Sequence, residues 1–203
     1  MNQEPTGTAY ERARRHGEAA LRSGLLDVAG DLLANQGADA LTMRRVADAA
    51  GCSTAVLYRM FAGKQGLLAG LYREGFARLH LRLAQVEAGD PVARLTALAG
   101  AYREHARADP AYYAVMFSRP VPEFQPSPED IAHADESFQV LVDGVAAAQG
   151  AGAVGGDDPR AVARVLWAAV HGAVSLELAG YLRGAEAERT FTTLAAAAIA
   201  HAT

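Results

Sequence analysis

Leu21, Leu25, Val28, Ala29, Leu32 and Leu33 fall three and four residues apart, so residues 18–35 predict an amphipathic helix, ended by Gly37. The same period returns after residue 64, where Leu68, Leu71, Tyr72, Phe76, Leu79 and Leu83 share one side of a helix over residues 65–86. Beyond it one device repeats. Asp90-Pro91, Asp109-Pro110, Ser127-Pro128 and Asp158-Pro159 each set a capping side chain before a proline suited to the first helical position, and predict four helix starts. A last helix is expected over residues 185–202, after the break at Arg183-Gly184. The sequence has no convincing period-two segment bounded by turns and no internal repeat. Residues 118–125, with Pro120 and Pro122, and the glycine-rich residues 150–156 read as loops. The expected fold is all-α, with about nine helices.

Between the first two periodic helices lies TMRRVADAAGCSTAVLYRMFAGK, residues 42–64. Thr42 can cap a short helix through Ala50 and Ser53 a second through Phe61, each side-chain oxygen accepting from an otherwise orphan backbone N–H. Gly51 supplies the backbone freedom for the turn between them. Val46, Ala47, Ala50, Leu57 and Phe61 form the apolar side of this helix-turn-helix, leaving Arg44, Arg45, Tyr58, Arg59 and Lys64 outward. Such an outward set suits phosphates and base edges.

In its order of threonine, basic pair, glycine, serine-threonine, leucine-tyrosine, phenylalanine and lysine, the segment resembles the DNA-binding part of TetR-family transcriptional regulators. Far downstream, Trp167, His171 and Gly172 in LWAAVHGAVSLEL resemble the tryptophan-histidine-glycine signature of one C-terminal domain type in that family. The resemblance implies a flexible leader over residues 1–17, a DNA-binding domain over 18–66 and a C-terminal ligand-binding and dimerisation domain over 67–203. It implies DNA contacts by Thr42, Arg44, Arg45, Ser53, Thr54, Ala55, Tyr58, Arg59 and Lys64. Arg44 is placed to donate twice to guanine, with a phosphate contact or a solvated surface position also open to it, while Thr54, Ala55 and Arg59 are the next candidates for base edges, with phosphate equally open to Arg59. Tyr58 and Lys64 suit phosphates; Arg45 suits phosphate or solvent. The implied partners are a palindromic double-stranded operator, a second copy of the chain and a small-molecule effector that releases DNA, with no cofactor or metal.

Net charge is −4, yet residues 1–85 hold 11 Lys and Arg against 8 Asp and Glu, and residues 86–203 hold 8 against 15. The halves therefore carry +3 and −7, with the basic half holding the helix-turn-helix. No uninterrupted apolar run reaches the length of a membrane span and the N-terminus has no export signal, so a cytoplasmic protein is expected. Cys52, the single cysteine, excludes an internal disulfide and a multi-cysteine metal site. His105, His133 and His171 fall on three separate predicted helices, so nothing local recommends catalysis or metal binding. An all-α enzyme or an interaction module that ignores DNA are the rival classes.

Residues 165–170 of the helix after Pro159 carry no charged or hydroxyl side chain, and a helix apolar all round needs cover all round. A second copy of the chain would supply it, through Val162, Leu166, Val170 and Ala173 here and Phe191, Leu194 and Ala198 in the last helix. Tyr102, Tyr112, Tyr113, Met116, Phe117 and Phe138 form either core or the walls of an apolar ligand cavity. Trp167 and His171, four apart on one face, are a core pair first and pocket contacts second. An aromatic lining with little buried charge points to an apolar or aromatic ligand.

Overall fold

The computed structural model describes residues 8–118 and 120–201. Among them are nine α-helices and no strand: α1 (Ala9–Gln36), α2 (Met43–Ala50), α3 (Thr54–Phe61), α4 (Lys64–Ala84), α5 (Pro91–Ala108), α6 (Pro110–Phe117), α7 (Pro128–Gly150), α8 (Pro159–Leu178) and α9 (Gly184–Ala200). A short 3-10 turn, Ala38–Ala40, joins α1 to α2.

Most predicted starts hold because their caps form. The carboxylates of Asp90 and Asp158 and the hydroxyl of Ser127 each accept a backbone N–H of the first turn, with proline at its head. Asp109 makes no such bond; it closes α5 and opens α6 at once, and its carboxylate lies 3.7 Å from Arg78 instead. The first helix starts at Ala9, nine residues before the periodic stretch. Its start is set by a reciprocal cap, in which Thr8 accepts from the Glu11 N–H and the Glu11 carboxylate accepts from the Thr8 N–H. The turns from Ala9 to Ala20 are exposed on every side, so no apolar period marks them. Residues 1–7 of the expected leader, and residue 202 at the expected end of the last helix, lie outside the described residues.

One continuous core runs from Leu25 and Leu26 in α1 through α2, α3 and α4 to Phe191 and Ala195 in α9. The long α4 is its axis, packing on α1 and α3 at one end and on α5, α6 and α7 along the rest. At the far end, buried Arg103 of α5 is held by Glu177 of α8 (2.7 Å) and Glu188 of α9 and lies over the Phe191 ring. That bond to Arg103 keeps the Glu177 carboxyl below its ordinary pKa despite its partial burial. Arg164, His171 and Glu177 interrupt α8, so no uninterrupted apolar run reaches membrane length, although by overall length and composition alone the helix is long and apolar enough to cross a membrane. Its inner face packs on α5, α7 and α9.

Candidate nucleic-acid interface and buried cavity

Thr42 caps α2, its hydroxyl accepting the Arg45 N–H at 3.2 Å, and Gly51 ends that helix in the left-handed conformation at φ 65°. Val46, Ala47, Leu57 and Phe61 are buried as expected and Ala50 half so. Ser53 departs from expectation. It precedes α3 in extended geometry, but its side chain makes no capping bond, and the Val56 N–H bonds its backbone carbonyl at 3.0 Å. Arg44, Arg45, Ser53, Thr54, Ala55, Tyr58, Arg59 and Lys64 all stand exposed along one motif, as does Thr42. Arg44 has only a loose ion pair with Asp48, 3.9 Å apart and mostly in solvent, while Arg45 is tied to Gln36 at the end of α1.

Three features fix the motif to α1 and α4. Ala62 and Gly63 take positive φ, 55° and 117°, and turn the chain sharply from α3 into α4. The Arg22 guanidinium of α1 donates to the Met60 carbonyl at 3.0 Å and covers the Phe61 ring at 4.7 Å. Gly66 and Gly70 allow α4 to approach that end of α3 and α1 closely. One helical rod thus begins at Lys64, beside the motif, and continues to Ala84.

Midway along α4, Arg78 gathers three elements. It donates to Glu74 (2.9 Å) on its own helix and to Ser23 (3.0 Å) and Asp27 (2.7 Å) of α1, and its guanidinium lies 4.4 Å from the centre of the Tyr112 ring of α6. The Tyr112 hydroxyl donates to the same Asp27 oxygen at 2.8 Å. Tyr112, expected in a ligand wall, therefore belongs to a polar clasp between α1, α4 and α6, and burial with the Asp27 carboxylate alongside pushes its pKa up.

The opposite side of α4 faces a half-open cavity of about 430 Å³ lined by α4 to α9. Tyr72, Phe76, Leu79 and Leu83 form one wall, and Tyr102, Met116, Phe117, Phe138 and Trp167 others. Of the expected ligand residues, Tyr113 and His171 stand behind the wall. Both Tyr102 (2.7 Å) and Tyr113 (2.9 Å) place their hydroxyls on His171 Nδ1, and Tyr113 also reaches Ser175 Oγ at 3.0 Å. Burial pushes the His171 pKa down, so its ring is neutral and helps set the wall. At the rim the sequence reading missed Asp135, Arg160 and Arg164. The signal was present: Arg160, Arg164, Trp167 and His171, spaced four, three and four, share one face of α8.

Residues 25–71 match the family described as bacterial regulatory proteins, tetR family, and residues 95–199 match the tetracyclin repressor-like C-terminal domain. The chain belongs to the TetR family of transcriptional regulators. It is thus a DNA-binding regulator and its exposed helix-turn-helix is the family's DNA-binding motif. A solved protein of unknown function from Rhodococcus sp. RHA1 is 31% identical, with a TM-score of 0.76 over 88% of this chain and 93% of that one. The TetR-family regulator PfmR from Thermus thermophilus (20% identity, TM-score 0.67, 84% and 94% covered) shares the fold. So does the fatty acid degradation regulator FadR from Bacillus halodurans (16%, 0.72, 89% and 95%). No curated protein matches the chain. The C-terminal match does not specify the tryptophan-histidine-glycine type.

The face of α8 expected to meet a second TetR chain is corrected by burial. Leu166, Val170 and Ala173, with Phe191 of α9, are buried in the subunit's own core, and Val162 and Ala198 are half-buried. The apolar side left in solvent is Val165 (61% exposed), Ala168, Gly172 and Leu176 (46%), joined on α9 by Leu194 (40%). A helix apolar all round does not reveal from its sequence which side the subunit keeps.

Proposed function

We propose that this TetR-family regulator is a cytoplasmic homodimeric repressor that lets go of a palindromic operator when a small molecule fills the cavity bounded by α4 to α9. The observation that carries the proposal is the course of α4, whose first residue, Lys64, adjoins the helix-turn-helix and whose later turns supply Tyr72, Phe76, Leu79 and Leu83 to the cavity wall. A ligand that repositions those rings tilts the rod on which the recognition helix α3 sits. Two recognition helices spaced for successive major grooves then no longer fit both. A coupling of about 1–3 kcal/mol suffices to shift occupancy.

In this proposal Arg44 reads a base, Thr54, Ala55 and Arg59 line the groove, and Thr42, Arg45, Ser53, Tyr58 and Lys64 hold phosphates. The division at residues 66 and 67, within the first turn of α4, separates the DNA reader from the effector and dimer domain. The exposed side of α8 with Leu194 of α9 forms the dimer seam. The walls suit an effector with an apolar or aromatic body.

Selection of genomic fragments by the purified protein tests the first half, the expected result being one or a few inverted-repeat sequences. Enrichment without any repeated half-site would overturn the dimeric operator reading. A ligand that raises the melting temperature and lowers affinity for the selected fragment supports the second half. Stabilising ligands that all leave that affinity unchanged would overturn release.

A further inference from the structure

The charged groups lining the cavity are Asp135, Arg160 and Arg164, and they do not cancel. Arg160 is paired with Asp135, shares a bond with Gln139 and lies over the Phe138 ring. Arg164, one turn further along the same face of α8, has no acceptor among the described residues. Two of the uncharged polar groups are committed elsewhere: the Tyr102 hydroxyl is on His171 and the Ser137 hydroxyl donates to the Ala134 carbonyl at 2.8 Å. The cavity is therefore an apolar pocket with one uncompensated positive charge at its rim.

We propose that the effector is an amphipathic carboxylic acid, with its apolar body among the aromatic walls and its carboxylate on Arg164. This rests on the reading of the cavity as the effector site and names the chemistry that the site selects. The orientation follows from desolvation. A carboxylate sent to the inner wall would meet mainly aliphatic and aromatic groups and would lose most of its hydration. At the rim it stays partly hydrated and gains a charge-assisted, two-pronged contact with a guanidinium. Such an acid is ionised at pH 7. A neutral alcohol of the same length gains the apolar contacts alone, and an amine meets repulsion.

Trp167, the chain's only tryptophan, lines the cavity, so its fluorescence reports occupancy without any reference to DNA. The full-length protein would be titrated with decanoate and 4-phenylbutyrate, and with decanol, 4-phenylbutanol and decylamine as matched controls. At least one acid should change Trp167 emission saturably and bind about tenfold more tightly than its alcohol. Arg164→Gln should weaken that acid about tenfold and leave the alcohol unchanged, and Arg164→Lys, which keeps the charge but not the fork, should restore only part of the preference. Equal affinity of acid and alcohol, no binding by either acid, or an acid affinity indifferent to Arg164→Gln would overturn the proposal. Operator affinity, measured separately with the acid bound, tests release: an acid that binds through Arg164 and leaves DNA binding intact sinks the release mechanism while this assignment stands.

Discussion

Gly66 lies so close to Phe61 that a β-carbon on it would sit 1.7 Å from the Phe61 carbonyl oxygen. The obstacle is backbone, which has no rotamer to turn aside, and it stands where α3 passes into α4. Gly66→Ala should therefore force the recognition helix off its seat. The expected cost is about 1–3 kcal/mol of stability, as for other overpacked sites, with loss of tight operator binding. Calorimetry and operator titration check both. Gly75→Ala is the contrasting case, since its β-carbon meets the Met116 side chain (Sδ at 2.7 Å), which can swing towards the cavity. That variant should fold and bind DNA while losing cavity volume.

The clasp around Arg78 joins α1 of the DNA-binding end to α4 and α6 of the cavity end. Arg78 is 27% and Asp27 49% exposed, so the single Arg78–Asp27 pair (2.7 Å) is expected to contribute about 1 kcal/mol at most. A double-mutant cycle of Arg78→Ala and Asp27→Ala, read by urea unfolding, should give a coupling of that size. Additivity within about 0.3 kcal/mol would mean that the apolar contacts alone hold α1 to α6.

What was legible in the sequence had local causes. The caps at Thr42, Asp90, Ser127 and Asp158 and the glycine at 51 act within one turn, so their residue types disclose the helices they start and end. The cavity is another matter. Tyr112 and Tyr113 are neighbours of one type, yet one serves the clasp with Asp27 and the other the wall with His171, and only the placement of α1 and α8 against α6 decides which. Which side of α8 stays outside was hidden for the same reason. Leu166 and Val165 are equally apolar, and the packing of α8 on α5, α7 and α9 determines which of them is left outside.

His105, almost wholly buried in α5, has its pKa pushed down to about 4 by that burial, which outweighs Asp109 while Arg82 and Arg78 add to the depression. Its Nε2 finds no partner among the described groups. The folded protein therefore keeps a neutral ring where the unfolded chain takes up a proton near pH 6.5. As pH falls from 6.5 towards 4 the unfolded state binds more protons, and stability should drop by up to about 3 kcal/mol through this group. His171, also shifted down by burial, acts in the same direction. In His105→Leu the fall between pH 6.5 and 4 should become shallower, measured by urea unfolding at several pH values. An unchanged slope would mean that His105 is charged in the fold.

Assembly can be read from two substitutions on one helix. Val165 projects from α8 with 61% of its surface exposed, so Val165→Glu should leave the subunit folded and give a monomer of 21.3 kDa by light scattering. Leu166, on the buried side, should behave differently: Leu166→Ala should cost about 2–5 kcal/mol as a core truncation without selectively splitting the dimer. A Val165→Glu protein that remains dimeric would move the seam away from this face.

Arg44 and Lys64 are both exposed on the TetR motif, and the kind of loss each variant suffers separates their roles. Lys64 heads α4, where its ammonium and the free N–H groups of the first turn make an anion site that any sequence can occupy. Lys64→Ala should weaken specific and non-specific duplexes alike and flatten the salt dependence by about one unit per half-site. Arg44 is only loosely held by Asp48, so turning it towards a guanine breaks little. Arg44→Ala should cost about 1–3 kcal/mol on the selected operator and relax discrimination at one base pair in each half-site. Selection from random duplexes with wild type and variant exposes the difference as symmetric paired changes. A loss spread evenly over all bases would make Arg44 a phosphate contact and leave Thr54, Ala55 and Arg59 to carry the sequence reading.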